Sequence, residues 1–192
     1  MADCVVLASG SGSNFEAIAT RLMSSTHRLR ALICDRRGAA VLERAARLGV
    51  PARLVDYSLG RRTAEDQLAQ LLAALEPDLI VLAGFMRILP GKIVDAFPER
   101  IINIHPALLP AYPGMHAIER SWADQASMGV TIHLVDRGVD TGPVLARWEA
   151  DRSGSPSLEE MEARIHTLEH LHYPLIVEQQ LNAIDRQGAG TR

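Results

Sequence analysis

Short apolar runs alternate with longer stretches of helical period through the first half of the chain. "CVVLA" precedes "NFEAIATRLM", "LRALIC" precedes "AAVLERAARL", "PARLVDY" precedes "TAEDQLAQLLAAL", and "DLIVLAGF" closes the series. Continuous apolar runs indicate strands buried on both faces, and amphipathic helices between them supply the cover. The order predicts an α/β fold: an open, mostly parallel twisted sheet with helices on both faces. Gly38, Gly49 with Pro51, and Pro77 stand at the joints, where helix stops and strand starts belong.

The rhythm changes from Ile101 onward. "RIINIHP" reads as a short strand, the proline-rich "PALLPAYPGMHA" as a loop, and "GVTIHLV" and "GPVLARWEA" as an antiparallel strand pair toward the C-terminal part, flanking "DRGVDT". The long segment from Ser157 to Leu181 has helical character and is expected to be interrupted near Pro174, since proline lacks the amide a helix needs. Residues 1–187 are expected to form one domain and 188–192 a flexible tail.

Composition narrows the function classes. At 192 residues and 47 % hydrophobic, the chain is long enough to bury roughly 70 % of its unfolded surface in one core. A net charge of -3 with no basic cluster gives nothing to neutralise a nucleic-acid backbone, so nucleic acid is not expected as a partner. No window approaches the ~18 apolar residues that span a bilayer, and the start has no basic leader, so a soluble cytoplasmic protein without membrane contact is expected. Cys4 and Cys34 lie inside apolar runs and read as small buried side chains.

Two places carry candidate chemistry. In "SGSGSNFEAI", Gly10 and Gly12 let the backbone approach a ligand, and the first turn of the following helix favours an anion such as a phosphate monoester; the plainer reading is a tight turn with an ordinary N-cap. Asp35 stands where a dinucleotide fold keeps its ribose-binding acid, but Phe15 replaces the third glycine of that fingerprint. In "INIHP", Asn103 and His105 are two residues apart at the end of an apolar run; Asp136 and Asp140 are the candidate carboxylates to set the imidazole charge, and Asp140, before the turn Thr141-Gly142-Pro143, is favoured over Asp136, read as a turn residue. An amide donor, a cationic donor and an acid suit an oxyanion site for acyl transfer; the alternative is a satisfied turn network. With no activated serine or cysteine, direct transfer to an amine is expected over a covalent relay. His166, His170 and His172 lack the glutamate placement of a zinc helix, so no metal is expected. His133 reads as structural or supporting, His27 as solvent-facing, and His116 as a loop residue.

The blocks "VVLASGSGSNFEAI", "DLIVLAGFMRILP", "INIHPALLPAYPG", "VDTGPVL" and "EHLHYPLI", in that order, resemble the folate-dependent phosphoribosylglycinamide formyltransferase family over nearly the whole chain. The resemblance implies a Rossmann-like formyltransferase fold. It also implies transfer of formyl from 10-formyltetrahydrofolate to the amine of glycinamide ribonucleotide in purine biosynthesis. On matching positions it implies a catalytic set of Asn103, His105 and Asp140. Gly12, Ser13 and Asn14 match the phosphate loop, Glu169 the ribose acceptor, and His166 a position held by glutamine in some relatives. Arg62, Met86, Arg87, Ile88 and Leu89 match the folate side, and Asp136, Arg137, Gly138, Val139 and Asp140 the loop that holds the pterin, with Asn103 also touching the donor.

Two other readings share parts of this pattern: a formyltetrahydrofolate hydrolase, expected to need an N-terminal regulatory domain before Cys4, and a non-catalytic sugar-phosphate binding module. A methionyl-tRNA formyltransferase would want an RNA-binding extension and a basic surface. Small-molecule substrates and a monomer or homodimer are expected.

Overall fold

A computed structural model describes residues 1–189. Strands β1 (Asp3–Ala8), β2 (Arg28–Cys34), β3 (Ala52–Leu54), β4 (Leu79–Leu82) and β5 (Ile101–His105) run parallel, while β6 (Gly129–Leu134) is antiparallel to β5 and β7 (Val144–Glu149) antiparallel to β6. They form one sheet in the order β3-β2-β1-β4-β5-β6-β7. Helices α1 (Ser13–Leu22), α2 (Ala40–Arg47), α3 (Arg61–Leu75), α4 (Gly91–Ala96), α5 (Ala117–Ala123) and α6 (Leu158–Ala189) surround it.

Period-two alternation divides each central strand between two cores. Val6, Ala8, Leu32, Leu79 and Val81 meet Phe15 and Ile18 of α1, Val41 of α2 and Tyr173 and Val177 of α6. The other face turns Val5, Leu7, Ile33 and Ile80 onto Leu68 and Leu72 of α3 and Ile93 of α4. Both faces are thus sealed, and β1 is buried along its whole length, which is why its sequence is apolar from Cys4 to Ala8. A third cluster joins Val130 and Met128 to Met161 and Ile165 at the start of α6, with Trp122 of α5 against it.

The sheet reverses its winding between β1 and β4, so the loops leaving those two strands diverge and open a crevice at their carboxyl ends. The segment after β1 contains Gly12 to Asn14, and that after β4 leads through Met86 to Leu89. Asn103 of β5 is level with Leu82, the last residue of β4. Neighbouring strands lie about 4.8 Å apart, so one strand width separates the two loops and another brings in Asn103.

Several expectations change. α6 continues through Pro174 without a break. Met161, Ile165, Glu169, Tyr173, Val177 and Leu181, four residues apart, are all buried on both sides of the proline, and this packing outweighs one missing helical bond. The helix also takes in Gly188 and Ala189, the first residues of the expected tail; residues 190–192 lie outside the described residues. α4 and α5, with 6 and 7 residues, are too short to betray a period. His27 is buried rather than solvent-facing: its Nδ1 accepts from the Ala2 amide at 3.3 Å and its Nε2 faces Asn182 Oδ1 at 3.1 Å. Cys4 and Cys34 are buried free thiols, and burial pushes Cys4 up to about 12, which leaves it without thiolate character. Among the described residues no helix is long and apolar enough to cross a membrane.

Candidate active site

Gly12 sits at the N-cap of α1 with φ 78, in the left-handed region. A Cβ there would lie 2.4 Å from Val41 Cγ2 and 2.9 Å from Val41 Cα, so glycine is required by conformation and by the approach of α2. No side chain caps α1, which leaves its first-turn amides at Ser13 and Asn14 without a side-chain acceptor. Asn14 Nδ2 donates to Glu169 Oε2 at 2.9 Å, joining α1 to α6 across 155 residues. His166 Nδ1 reaches the same oxygen at 3.0 Å, and that bond to Glu169 raises the His166 pKa against the cost of partial burial. Glu169 is itself only 5 % exposed. The expected substrate residues Gly12, Ser13, Asn14, His166 and Glu169 therefore form one group.

A second group forms where β5 meets β6. The antiparallel register pairs Asn103 with His133 and His105 with Thr131, so these four side chains share the sheet face opposite Ile102 and Ile104. Thr131 Oγ1 donates to Ala107 O at 2.6 Å and accepts from Leu109 N at 3.0 Å, fixing the chain just after His105. Asp140 enters from the β6–β7 connection with φ 55, a left-handed position that aspartate tolerates better than most residues. Gly142 follows; a Cβ on it would meet Leu134 O at 1.9 Å, so the connection turns tightly back onto β6.

Asp140 is the hub. Its Oδ1 lies 3.3 Å from Asn103 Nδ2 and 3.4 Å from His133 Nε2; its Oδ2 lies 3.3 Å from His105 Nδ1 and accepts from the Gly114 amide at 2.8 Å. Burial pushes this carboxyl up, but the hydrogen bonds from His133 and Gly114 and the charges of His105 and His133 outweigh it and hold the group at about 2. Asp140 is thus a carboxylate throughout the physiological range. His105 turns its other nitrogen, Nε2, to the Tyr112 carbonyl at 2.8 Å. His105 is thus held between the Tyr112 carbonyl on one side and the Asp140 carboxylate on the other. His133 gives Nδ1–H to Leu134 O at 2.8 Å, so its Nε2 accepts from Asn103 at 3.2 Å when neutral and donates to Asp140 when charged.

The rest of the 136–140 loop is scaffolding. Asp136 Oδ1 accepts from Gly138 N at 2.9 Å and Thr141 Oγ1 at 2.7 Å, and Arg137 pairs with Asp95 of α4 at 2.5 Å. Of the two candidate acids, the favoured Asp140 reaches the imidazole, and Asp136 serves the turn. Gly138 and Val139 are exposed at the rim.

A cleft of about 700 Å³ is lined by Met86, Arg87 and Ile88 together with Asp35, Tyr57 and Arg61; Asn103, His105 and residues 136–140 do not line it. Arg87 Nε donates to Asp35 Oδ2 at 2.7 Å, and its guanidinium lies 4.4 Å from the Tyr57 ring centroid. Met86 and Ile88 are exposed, whereas Leu89 is buried in the core and offers a ligand only its backbone. Arg62 does not line the cleft; Arg61, paired with Glu65, does. Tyr57 and the Tyr112 and Gly114 main chain carry no signal in the sequence; Asp35 is weighed there only as a dinucleotide ribose acid, and His133, read as structural or supporting, is placed beside Asn103 by the β5–β6 register.

Residues 2–177 match the formyl transferase family. The chain is 40 % identical over 186 residues to the phosphoribosylglycinamide formyltransferase of Bacillus subtilis (strain 168), covering 94 % of this chain and 95 % of that one. Among solved structures it is similar to glycinamide ribonucleotide transformylase 1 from Geobacillus kaustophilus, with TM-score 0.89, 40 % identity and coverage of 94 % and 99 %. The phosphoribosylglycinamide formyltransferase from Bacillus halodurans gives TM-score 0.88 at 36 % identity, covering 93 % of this chain and 95 % of that one. The chain belongs to the formyl transferase family, alongside the phosphoribosylglycinamide formyltransferases.

Proposed function

We propose that the protein transfers the formyl group of 10-formyltetrahydrofolate to the amine of glycinamide ribonucleotide, using Asn103, His105 and Asp140. The observation that carries this reading is the convergence of an amide and an imidazole on one half-buried carboxylate, at the end of the sheet from which the Gly12–Asn14 loop also projects.

The substrate phosphate docks on the Gly12–Asn14 amides. Its ribose hydroxyls donate to Glu169, whose Oε2 already accepts from Asn14 and His166. The formyl donor lies along Met86, Arg87 and Ile88 and against the 136–140 loop, its carbonyl facing Asn103 and His105. Holding both substrates in place replaces a bimolecular encounter. The amine attacks the formyl carbon, forming the new C–N bond, and negative charge builds on the formyl oxygen. Asn103 Nδ2 and His105 Nδ1 sit at 3.3 Å from Asp140, slack enough to tighten onto this stronger acceptor. Collapse breaks the bond to the folate nitrogen, which takes up through water the proton that the amine sheds. With its carboxyl at about 2, Asp140 is a poor proton acceptor; its work is to keep the imidazolium charged.

The enzyme is a cytoplasmic one of small-molecule substrates, monomeric or homodimeric. The test mixes enzyme with each substrate alone and with both, and follows tetrahydrofolate. Release only with both is the expected result; release without the amine acceptor makes it a hydrolase, and no release makes it a binding module.

A further inference from the structure

The chain between Pro113 and Met115 delivers a main-chain hydrogen bond to the hub carboxylate, and its conformation is costly. Tyr112, Gly114 and His116 all have positive φ, at 55, 76 and 58. Two of the three are not glycine, and such residues cost of order 1–3 kcal/mol each unless their surroundings hold them. This segment also presents Tyr112 O to His105 Nε2 at 2.8 Å and Gly114 N to Asp140 Oδ2 at 2.8 Å. Two proposed reacting side chains thus take their orientation from a strained loop.

Arg120, one turn into α5, grips that loop. Its NH1 donates to Pro113 O at 2.7 Å and to Met115 O at 3.3 Å, the carbonyls on either side of Gly114. Its guanidinium lies 5.6 Å from the Tyr112 ring centroid, and the Tyr112 hydroxyl bonds Asp124 Oδ2 at 3.1 Å at the other end of the same helix. Holding the Pro113 carbonyl fixes the Pro113–Gly114 peptide plane, and with it the direction of the Gly114 amide, while the Met115 carbonyl ties down the Met115–His116 peptide that follows. We propose that Arg120 is a positioning residue for formyl transfer: it acts through the Gly114 amide and the Tyr112 carbonyl to hold Asp140 and His105 in register.

This inference rests on the reading of His105 and Asp140 given above, so its test includes a measurement that does not depend on turnover. In Arg120→Ala, amide hydrogen exchange at Gly114 is expected to accelerate at least tenfold. The kcat is expected to fall roughly tenfold, inside the hundredfold that misplacement by about 1 Å costs, with KM for both substrates within about twofold of wild type. Arg120 is exposed, so the unfolding midpoint should hold. Added guanidinium ion should restore part of the lost kcat, and Arg120→Lys, which keeps the charge without the fork, should lie between the two. Wild-type exchange at Gly114 overturns the proposal, as does faster exchange with unchanged kcat, or a loss confined to KM. Wild-type turnover in Asp140→Asn would instead remove the underlying reading and leave the Gly114 exchange result standing.

Discussion

Around Asp140 both carboxylate oxygens, and the ring nitrogens of His105 and His133, have partners inside the protein. Around the loop after β1 and the Met86–Ile88 cleft the pattern differs: Asn14 Oδ1 and Asp35 Oδ1 are the buried side-chain oxygens without a partner among the described residues. In the proposed mechanism the reacting groups are held by one another and need only a small shift when charge develops. The groups proposed to bind substrate keep acceptors in reserve, at a cost that a bound ligand would remove. The antiparallel part of the sheet provides the first kind of construction. The loops at the parallel switch point provide the second.

The comparison is broken most directly at the hub. Asp140→Asn removes the charge facing His105 and should lower kcat by about 10²–10³, as should His105→Ala, with KM values little changed; steady-state assays with both substrates decide it. Wild-type turnover would show that the closed network is structural. The same carboxylate carries a stability signature. Its folded pKa of about 2 lies below the ordinary aspartate value of about 3.9, so its contribution is fully present above pH 4 and is lost as pH falls toward 2. The shift corresponds to stability on the order of 2 kcal/mol. Unfolding measured across pH 4 to 2 should therefore lose a component in wild type that Asp140→Asn does not have.

On the binding side the largest effect is expected at Gly12. Alanine there must take φ 78 and place its Cβ 2.4 Å from Val41 Cγ2, with the α2 backbone behind it. The left-handed strain alone costs about 1–3 kcal/mol. Denaturant titration should register a loss at least that large, and KM for the ribonucleotide should rise while the hub stays intact. Glu169→Ala should act on KM for the same substrate with less damage to the fold, by roughly tenfold or more from loss of charge-assisted hydrogen bonds. An equal fall in kcat would mean that the two halves are not separable.

The parts of this architecture that sequence made legible are those with a local cause. β4, β1 from Cys4 onward and the second half of β2 from Ala31 are apolar without a break because both faces are covered there, and the Gly12 turn declares itself through its glycines. Asn103 and His105 could be placed on one strand face by alternation alone. What stayed hidden depends on chain separations that period cannot reach. His133 lies opposite Asn103 only because of the β5–β6 register, and the Gly114 amide and Tyr112 carbonyl reach the hub only through the loop before α5. Pro174 misled because a local rule about helix breaking met a buried stripe on both of its sides. Arg61 and Arg62 share a composition but not an orientation, and only the helix phase of α3 tells which one faces the cleft.

The finest probe of the binding half is His166. Its ring is about half exposed and its pKa is raised by the bond to Glu169, so the pair is strongest while the imidazole is charged. A raised folded value means that this contribution is full below the ordinary histidine pKa of about 6.5 and fades as pH rises through the shifted value. Once His166 is neutral, Glu169 Oε2 loses a charged donor and keeps the Asn14 amide, so the carboxylate becomes freer for ribose hydroxyls but less firmly held. The expected result is a shallow pH dependence of KM for the ribonucleotide, no more than about threefold, on the alkaline side of pH 6.5. His166→Gln keeps a donor without a titrating charge and should flatten that dependence while leaving kcat unchanged. If the variant keeps the wild-type profile, the titrating group lies elsewhere, and His166 belongs with the exposed residues of α6 rather than with the group that recognises the substrate.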